Sequence, residues 1–402
     1  MKKFLKRVKR GLKRRLDFST EGRRQRVIQN PPAIKEDSIV LVSNPDYTGN
    51  PKALFRYMID NGYNERYKIT WLFNKRESYI DFGIPNVSSV CTKNAKGKRT
   101  PEAQKTIMSA RYVIYSHNVN WCKKYREGQT FIDLWHGSAY KGPHQGDKVI
   151  YFDYLMVTGK KFIDVFRNYM KHKDGEIIDL GYPRNEMLFT DRTGASAYLD
   201  NLKAKADSEK AVIWMPTFRK SKLKRLDSDT ELGETGLPVL YEQRMLKEFD
   251  KCCRDNKVLL IIKQHHLQAD YAASDEGLEN IKFLTDRELS TEGVDLYELI
   301  GATDAMISDY SSASIDYMLT DKPIGYTLDD FDKYEEVRGW AFDNILDYMP
   351  GHHIYNDGDL RGFIEDISAS KDPHKEWRAK VTDEMHTYRD GFSRRILDYF
   401  EI

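Results

Sequence analysis

The chain has 402 residues, which is long enough for two or more domains. Hydrophobic residues make up 40% of it and charged residues 31%, a composition that excludes disordered, collagen-like and fibrous proteins. No apolar run approaches the ~18 residues of a membrane-spanning helix and no secretory signal is recognisable, so we expect a cytoplasmic protein. Its four cysteines lack CxxC spacing, which argues against a zinc site or a disulfide scaffold.

The formal charge of +2 hides a strongly basic first segment. Residues 1–26 contain twelve Lys or Arg against two acidic residues, while the rest of the chain has more acidic than basic residues. Apolar residues recur there at helical spacing: Phe4, Leu5, Val8, Leu12 and Leu16. This pattern predicts a basic amphipathic helix on an anionic membrane surface, with these membrane candidates: Lys2, Lys3, Phe4, Leu5, Lys6 and Arg7. The alternatives are a solvated tail and a nucleic-acid-binding tail, but no nucleic-acid-binding motif accompanies it.

After this segment, short β-rich apolar runs alternate with helical stretches in two series. The first series comprises residues 38–42, 67–73, 112–115, 131–134, 154–157 and 177–180, and the second 211–215, 258–263, 281–283, 305–308 and 323–326. This alternation predicts an α/β fold with two parallel-sheet halves. We expect four parts: the basic segment 1–26, an N-terminal domain 27–195, a C-terminal domain 196–374 and closing helices in 375–402.

Ligands of open α/β sheets bind beyond the carboxyl ends of the strands, and the first candidate motif lies there. Residues 135–138, Trp-His-Gly-Ser, follow the apolar run 131–134. His136 is suited to take a proton from a hydroxyl at neutral pH, and Ser138 and Lys141 could contact phosphate. A purely structural histidine is the alternative.

Two further motifs follow strands of the second half. Thr217 and Arg219 supply a hydroxyl and a guanidinium suited to phosphate, although a surface salt bridge would also explain the arginine. Lys263 and His265 share a face of an extended chain and could bind or protonate a leaving phosphate. Metal ligation competes with this interpretation, but no HExxH motif or second carboxylate cluster supports it, so we expect no metal.

A fourth motif follows the run 305–308. Ser311 and Ser312 are placed as the cap and first turn of a helix, whose free amide groups suit an anion. Asp316 could reach a ribose hydroxyl or pair with a cation. Asp309 beside the serines and Arg338 in a later turn are further candidates for the site.

Seven blocks in this order resemble the CDP-glycerol glycerophosphotransferase family of teichoic acid primases and polymerases. The blocks are Asn50-Pro51-Lys52-Ala53, Trp135-His136-Gly137-Ser138, Gly181-Tyr182-Pro183-Arg184-Asn185, Pro216-Thr217-Phe218-Arg219, Lys263-Gln264-His265, Asp309-Tyr310-Ser311-Ser312 and Arg338-Gly339. The chain departs from the family pattern at Ser138, usually Thr, at Glu186, usually Asp, and at His266, usually Pro. The last departure leaves open whether His265 or His266 faces the site.

The resemblance implies a GT-B fold, in which two Rossmann-like domains face each other across a cleft. It implies a peripheral enzyme on the cytoplasmic face of the cell membrane, without a cofactor, that moves glycerol phosphate from CDP-glycerol to a lipid-linked saccharide or polyol-phosphate acceptor and releases CMP. By the same resemblance, His136 is the general base and His265 holds the pyrophosphate. Arg219, Ser311 and Ser312 bind phosphates, with Asp316 as a helper.

Other functions remain open at this stage. The donor could be CDP-ribitol, or the chain could be a GT-B glycosyltransferase that uses a nucleotide sugar and releases a nucleoside diphosphate. A non-enzymatic protein that binds anionic lipid or nucleic acid through its basic segment is a third possibility. The sequence also leaves open whether the chain primes or extends a polymer, and whether it forms a homo-oligomer.

Overall fold

The computed structural model describes residues 20–117, 127–142, 149–217, 233–263 and 276–402. The first half contains a seven-stranded sheet in the order β3-β2-β1-β4-β5-β6-β7, and all its neighbouring strands are parallel. Its strands are β1 Lys35–Val42, β2 Lys68–Phe73, β3 Val87–Cys91, β4 Ala110–Tyr115, β5 Thr130–Asp133, β6 Tyr154–Met156 and β7 Glu176–Ile178.

The second half contains a six-stranded parallel sheet in the order β10-β9-β8-β11-β12-β13. Its strands are β8 Lys210–Trp214, β9 Val258–Lys263, β10 Ile281–Leu284, β11 Ala305–Ser308, β12 Ile324–Thr327 and β13 His352–Ile354. Counted within its own half, each sheet has the strand order 3-2-1-4-5-6 of a nucleotide-binding Rossmann sheet, which the first sheet extends by one strand. The prediction of two parallel α/β halves is therefore confirmed.

Helices connect and cover the strands. The α-helices are Thr20–Gln29, Gly49–Asp60, Tyr63–Arg66, Pro101–Ser109, Lys161–Tyr169, Ala195–Lys205, Gln243–Asp255, Asp286–Glu292, Leu296–Ala302, Ser312–Tyr317, Phe331–Arg338, Asp357–Ser368, Lys375–Met385 and Phe392–Tyr399. The 3-10 helices are Arg76–Ser78, Pro183–Phe189, Met318–Thr320 and Ile345–Tyr348. In the described part of the chain, no helix is long and apolar enough to cross a bilayer.

Local sequence signals explain where several helices begin. Thr100 precedes Pro101–Ser109, and its hydroxyl accepts a hydrogen bond from the amide of Ala103 at 3.2 Å. Proline at the first helical position suits this start because its missing N–H is not needed there. Asn356 caps Asp357–Ser368 in the same way through the amide of Asp359, at 3.1 Å.

All eleven predicted strands are present, with ends shifted by up to three residues. Strands β3 and β13 were not predicted. They are edge strands with weak apolar signals, Val-Ser-Ser-Val-Cys and His-His-Ile. The membrane candidates Lys2, Lys3, Phe4, Leu5, Lys6 and Arg7 lie outside the described residues. The helix Thr20–Gln29 covers the end of the basic segment.

The last helix returns to the first half. Ile396 and Leu397, on the helix Phe392–Tyr399, are fully buried in the core beneath the first sheet. The carboxylate of Glu186 accepts hydrogen bonds from the backbone N–H of Ser393 at 2.9 Å and from its hydroxyl at 2.7 Å. Glu186 therefore satisfies hydrogen-bond donors at the start of this helix. Its side chain, one methylene longer than that of the usual aspartate, performs this role.

A buried ion pair joins the two halves. Arg184 begins the segment after the first sheet, and its Nη2 lies 2.6 Å from Oδ2 of Asp316, on the helix Ser312–Tyr317 of the second half. Only 8% of Arg184 and 1% of Asp316 is exposed. Asp316 also accepts hydrogen bonds from Asn185 at 3.2 Å and from the hydroxyl of Tyr297 at 2.7 Å. Burial alone would lower the pKa of Arg184, but the Asp316 carboxylate raises it above its usual value, so the guanidinium stays charged.

Two more ion pairs span the same boundary at its edge. Lys52 lies 2.6 Å from Asp295, and Arg56 lies 3.0 Å from the buried carboxylate of Glu298. Lys52 and Arg56 share the helix Gly49–Asp60 of the first half. Three ion pairs, one buried and two partly exposed, therefore hold the halves together. They lie around one apolar cluster that includes residues of both sheets.

Replacing Asp316 by alanine should lower the free energy of unfolding by about 3–5 kcal/mol, because it leaves the Arg184 guanidinium buried without its counter-charge. Chemical denaturation checks this. Asp383→Ala, which removes the exposed partner of Arg389, is the matched control and should cost less than about 1 kcal/mol. Equal losses in the two variants would contradict the central role of the Arg184–Asp316 pair.

Candidate active site

A cavity of about 420 Å³ lies between the two halves. The first half contributes the turn after β5 and the helix Lys161–Tyr169, and the second half contributes the carboxyl ends of β8, β9 and β11. Its polar and charged lining residues are His136, Lys141, Tyr169, Thr217, Lys263, Asp286, Tyr310, Ser311 and Ser312. The strand ends of both sheets therefore converge on one space.

The turn after β5 depends on unusual backbone angles. Trp135 has a φ of +52° and Gly137 a φ of +146°, a region that favours glycine. A Cβ on Gly137 would collide with the side chain of Ser312, from the other half. Glycine at this position therefore lets the two halves approach each other directly beside His136.

His136 is exposed to the cavity, and its hydrogen bonding defines its tautomer. Its Nδ1 lies 3.3 Å from the carbonyl oxygen of Ser116, and since a carbonyl only accepts, Nδ1 carries the proton. Its ring stacks on that of His117, with centroids 4.4 Å apart. The pKa of His136 lies below its usual value because the cavity walls shield the ring from water, and nearby His117 and Arg184 act in the same direction. Nε2 is therefore an unprotonated base at neutral pH.

Thr217 is held in place by Asp309. Asp309 is fully buried, and its carboxylate accepts hydrogen bonds from the amide of Thr217 at 2.8 Å and from its hydroxyl at 2.5 Å. Lys141 donates to the same hydroxyl at 3.4 Å across the boundary between the halves. Asp309 thus positions Thr217 from behind the cavity wall, while Lys141 and Thr217 face the cavity.

Six further predicted residues of the second half either line the cavity or lie outside the described residues. Lys263 lines the cavity with its Nζ 2.9 Å from Asp286, and Ser311 and Ser312 line it at the start of the helix Ser312–Tyr317. The hydroxyl of Ser311 accepts a hydrogen bond from the amide of Ala313 at 3.4 Å. The second group is Arg219, His265 and His266, which lie outside the described residues.

Besides Asp309, three predicted residues lie apart from the cavity lining. Asp316 is buried behind it in the ion pair with Arg184 rather than open to a ligand. Ser138 is also fully buried, and its hydroxyl bonds to those of Thr158 at 2.7 Å and Tyr182 at 3.2 Å. Arg338 ends the helix Phe331–Arg338 and is absent from the lining. The structure thus gives Asp316 and Ser138 positions that support the site from behind.

No group of three or more His, Cys, Asp or Glu side chains is arranged to hold a metal ion within the described ranges. Positive charge in the described part of the cavity comes instead from Lys141 and Lys263.

Comparison with known proteins identifies the family. The family described as CDP-glycerol:poly(glycerophosphate) glycerophosphotransferase matches residues 24–401. The chain belongs to this family. The resemblance found in the seven sequence blocks is therefore confirmed, and so is the assignment of the chain as a transferase of this class.

Two relatives illustrate the range of this glycerophosphotransferase family. A teichoic acid poly(glycerol phosphate) polymerase of Staphylococcus epidermidis is 25% identical over 345 residues, which is 79% of this chain but 44% of the polymerase. A teichoic acid glycerol-phosphate primase of Bacillus subtilis is 23% identical over 382 residues, 88% of this chain and 90% of the primase. The chain thus spans less than half of one relative and nearly all of the other.

A solved structure shares the fold of this chain. The wall teichoic acid polymerase TagF superposes with a TM-score of 0.71 at 20% identity, over 100% of this chain and 96% of that one. The likeness extends over both sheets and establishes the fold.

Asp133, the last residue of β5, was not predicted as a site residue from the sequence. Asp133 is fully buried; one carboxylate oxygen accepts a hydrogen bond from the amide of Trp135 at 2.8 Å, and the other has no partner among the described residues. Burial raises the pKa of Asp133 to about 8, although the bond from Trp135 opposes the shift. The signal in the sequence is an acidic residue inside the apolar run that precedes the Trp-His-Gly block.

The buried carboxyl of Asp133 should make stability depend on pH. An unfolded Asp titrates near 3.9, so between about pH 4 and 8 only the unfolded chain releases this proton. The group therefore lowers the free energy of unfolding as pH rises through that window, by about 1.4 kcal/mol per pH unit. Asp133→Asn, which does not titrate, should lose this part of the decline when denaturation curves at pH 5 and pH 7 are compared.

The exposed residue Asp332 provides the control for this measurement. Asp332→Asn should retain the decline of the unmodified chain. The same decline in Asp133→Asn would show that Asp133 is ionised in the folded protein.

Proposed function

We propose that the chain transfers glycerol phosphate from CDP-glycerol to a hydroxyl of a lipid-linked acceptor and releases CMP. The observation that carries this proposal is the pairing of His136 in the first half with Ser311 and Ser312 in the second, across one cavity and next to the close approach at Gly137. A base for the acceptor and hydroxyl and amide donors for a phosphate are thus brought to the same space. We further propose that the two Rossmann-like halves form a GT-B arrangement, with the acceptor on the first half and the nucleotide on the second.

In this reaction, Nε2 of His136 takes the proton of the acceptor hydroxyl. The acceptor oxygen attacks the phosphorus that carries the glycerol, a new P–O bond forms, and the bond between that phosphorus and the bridging oxygen of the pyrophosphate breaks. The electron pair leaves with CMP. Because Nδ1 of His136 is held by the carbonyl of Ser116, the ring presents the correct nitrogen without reorientation.

The second half would stabilise the charge that develops on the phosphates. Ser311 and Ser312 offer hydroxyl groups, and Lys263 offers an ammonium group in the described part of the wall. Thr217 is fixed toward the cavity by Asp309. Arg219 as a phosphate ligand, and His265 as the residue that holds the pyrophosphate, complete the proposal from the family resemblance.

The location and partners of the enzyme are also part of the proposal. We place it as a peripheral protein on the cytoplasmic face of the cell membrane, held by the basic segment that contains Lys2 to Arg7. The acceptor would be a lipid-linked saccharide or polyol phosphate. A ribitol phosphate donor is the second candidate, and a nucleotide-sugar glycosyltransferase would differ by releasing CDP or another nucleoside diphosphate.

His136→Ala should reduce turnover by about 10² to 10⁴ because it removes a positioned general base, while binding of CDP-glycerol is largely kept. The measurement is acceptor-dependent nucleotide release, with CMP and CDP separated, using CDP-glycerol and CDP-ribitol in turn. His172→Ala is the control, since that ring bonds to the carbonyl of Phe152 at 3.0 Å, away from the cavity lining.

The outcomes discriminate between the candidate functions. CMP that depends on acceptor and on His136 supports phosphotransfer, and the faster donor names the polyol. CDP as the product would establish glycosyl transfer instead, and unchanged turnover in His136→Ala would remove this residue from the mechanism.

Combined replacement of Ser311 and Ser312 by alanine should raise the donor KM by about tenfold or more, because two hydrogen bonds to charged phosphate oxygens are lost. A loss of helix capping alone would cost about 1 kcal/mol of stability and leave the donor KM unchanged. Donor KM and the free energy of unfolding, measured on the same variant, therefore separate the binding role of the serines from a capping role.

A further inference from the structure

A basic turn follows the edge strand β3 of the first sheet. Residues 93–99, Lys-Asn-Ala-Lys-Gly-Lys-Arg, contain four cations and no acidic residue. The side chain of Asn94 accepts hydrogen bonds from the amides of Lys96 and Lys98, both at 3.0 Å, and Lys93 pairs with Arg99 in an antiparallel bridge. The turn is therefore internally hydrogen-bonded, with its lysine side chains exposed.

The helix Thr20–Gln29 extends this basic surface. Thr20 accepts a hydrogen bond from Asn94 at 3.4 Å, and Arg24 donates to Gln104 at 3.1 Å, so the helix lies against both the turn and the helix Pro101–Ser109. We name the exposed cations of this surface the basic edge: Arg23, Arg26, Lys93, Lys96, Lys98 and Lys105. Two exposed acidic residues lie on the same helices, Glu102 and Glu21, and the latter pairs with Arg24 at 2.7 Å.

Arg99 lies beneath the basic edge. Burial lowers the pKa of Arg99 to about 10, and the neighbouring Arg24 acts in the same direction. The six exposed cations of the basic edge favour a negatively charged partner.

The position of the basic edge relative to the cavity is fixed by the sheet. The basic turn follows the carboxyl end of β3, and the turn that carries His136 follows the carboxyl end of β5. In a parallel sheet both ends face the same side. Four strand spacings separate β3 from β5, which corresponds to about 19 Å. The basic turn thus lies on the same side of the sheet as the turn that carries His136.

We infer that the basic edge docks on anionic lipid headgroups and so holds the turn that carries His136 about four strand spacings, or about 19 Å, from the membrane contact. The inference rests on the proposed function, because a lipid-linked acceptor must reach His136 while its lipid remains in the bilayer. The basic edge adds a folded contact of fixed orientation to the charges of residues 1–19 in the basic segment. Those charges alone would not orient the cavity. The basic turn, residues 93–99, contains no aromatic residue on which a nucleic acid base could stack.

The test uses the full chain with its basic first segment intact and compares two charge reversals. The first variant is Lys96→Glu combined with Lys98→Glu, both on the basic turn. The matched control is Lys171→Glu combined with Lys173→Glu, which are exposed and precede the amino end of β7, at the opposite end of the sheet. Both variants change the net charge equally, so nonspecific attraction of the whole chain falls equally in the two.

Binding is measured by co-sedimentation with vesicles of phosphatidylglycerol and phosphatidylcholine at about 0.15 M salt. Each cation near an anionic surface contributes about fivefold to partitioning. We therefore expect the Lys96/Lys98 variant to bind at least about 25-fold more weakly, and the Lys171/Lys173 control to bind within about twofold of the unmodified chain. Equal loss in both variants, or no loss in the first, would overturn the proposal.

A second measurement separates this proposal from the proposed function. With a water-soluble acceptor analogue, the Lys96/Lys98 variant should release CMP at the rate of the unmodified chain. Vesicle binding that depends on these lysines, in a chain that releases no CMP with any acceptor, would support the docking surface and contradict the transferase. Lysine-dependent binding to duplex DNA or RNA, with vesicle binding unchanged in the variant, would overturn the lipid assignment.

Discussion

The site depends on one buried ion pair between the halves. Arg184 donates to Asp316 through two nitrogens and to the backbone carbonyl of His136 through a third, at 2.8 Å. A single guanidinium therefore fixes both the helix that carries Ser312 and the turn that carries His136. Because both partners are nearly inaccessible, water cannot replace either one, and the relative position of base and phosphate donors follows from this contact.

Glycine and asparagine make that arrangement possible. Gly137 leaves room for Ser312, and Asn50 holds the other side of the same turn by donating to the carbonyls of Leu134 and Trp135, both at 2.9 Å. The side-chain oxygen of Asn50 in turn accepts from the amide of Arg184 at 3.1 Å. Residues of three of the seven family blocks thus meet in one hydrogen-bonded network behind the cavity, although the blocks are far apart in the sequence.

Much of this architecture could be predicted from local pattern. The buried central strands are continuous apolar runs, and their alternation with helices is enough to infer parallel sheets. The edge strands β3 and β13 could not be found in this way because serine and histidine interrupt their apolar character. Motif position likewise placed His136, Lys263, Ser311 and Ser312 at strand ends, and the structure brings them to one cavity.

The residues whose roles pattern left open or missed are those whose roles depend on distant contacts. The sequence left open whether Asp316 reaches a ribose hydroxyl or pairs with a cation, and the structure pairs it with Arg184, 132 positions earlier. In the sequence, Asp133 is only the last residue of a strand. Its burial, which raises the pKa of its carboxyl group, is seen only in the structure. Sequence spacing identifies which residues reach the site, whereas long-range packing decides which of them face a ligand and which support it.

The return of the last helix to the first sheet has a consequence for biosynthesis. Ile396, Leu397 and Ile402 complete the apolar layer beneath strands that leave the ribosome several hundred residues earlier. The first half therefore cannot finish its core while translation of the second half is under way, although domains of many proteins fold in sequence as they emerge. A nascent chain therefore exposes part of this apolar surface until the helix Phe392–Tyr399 has been synthesised.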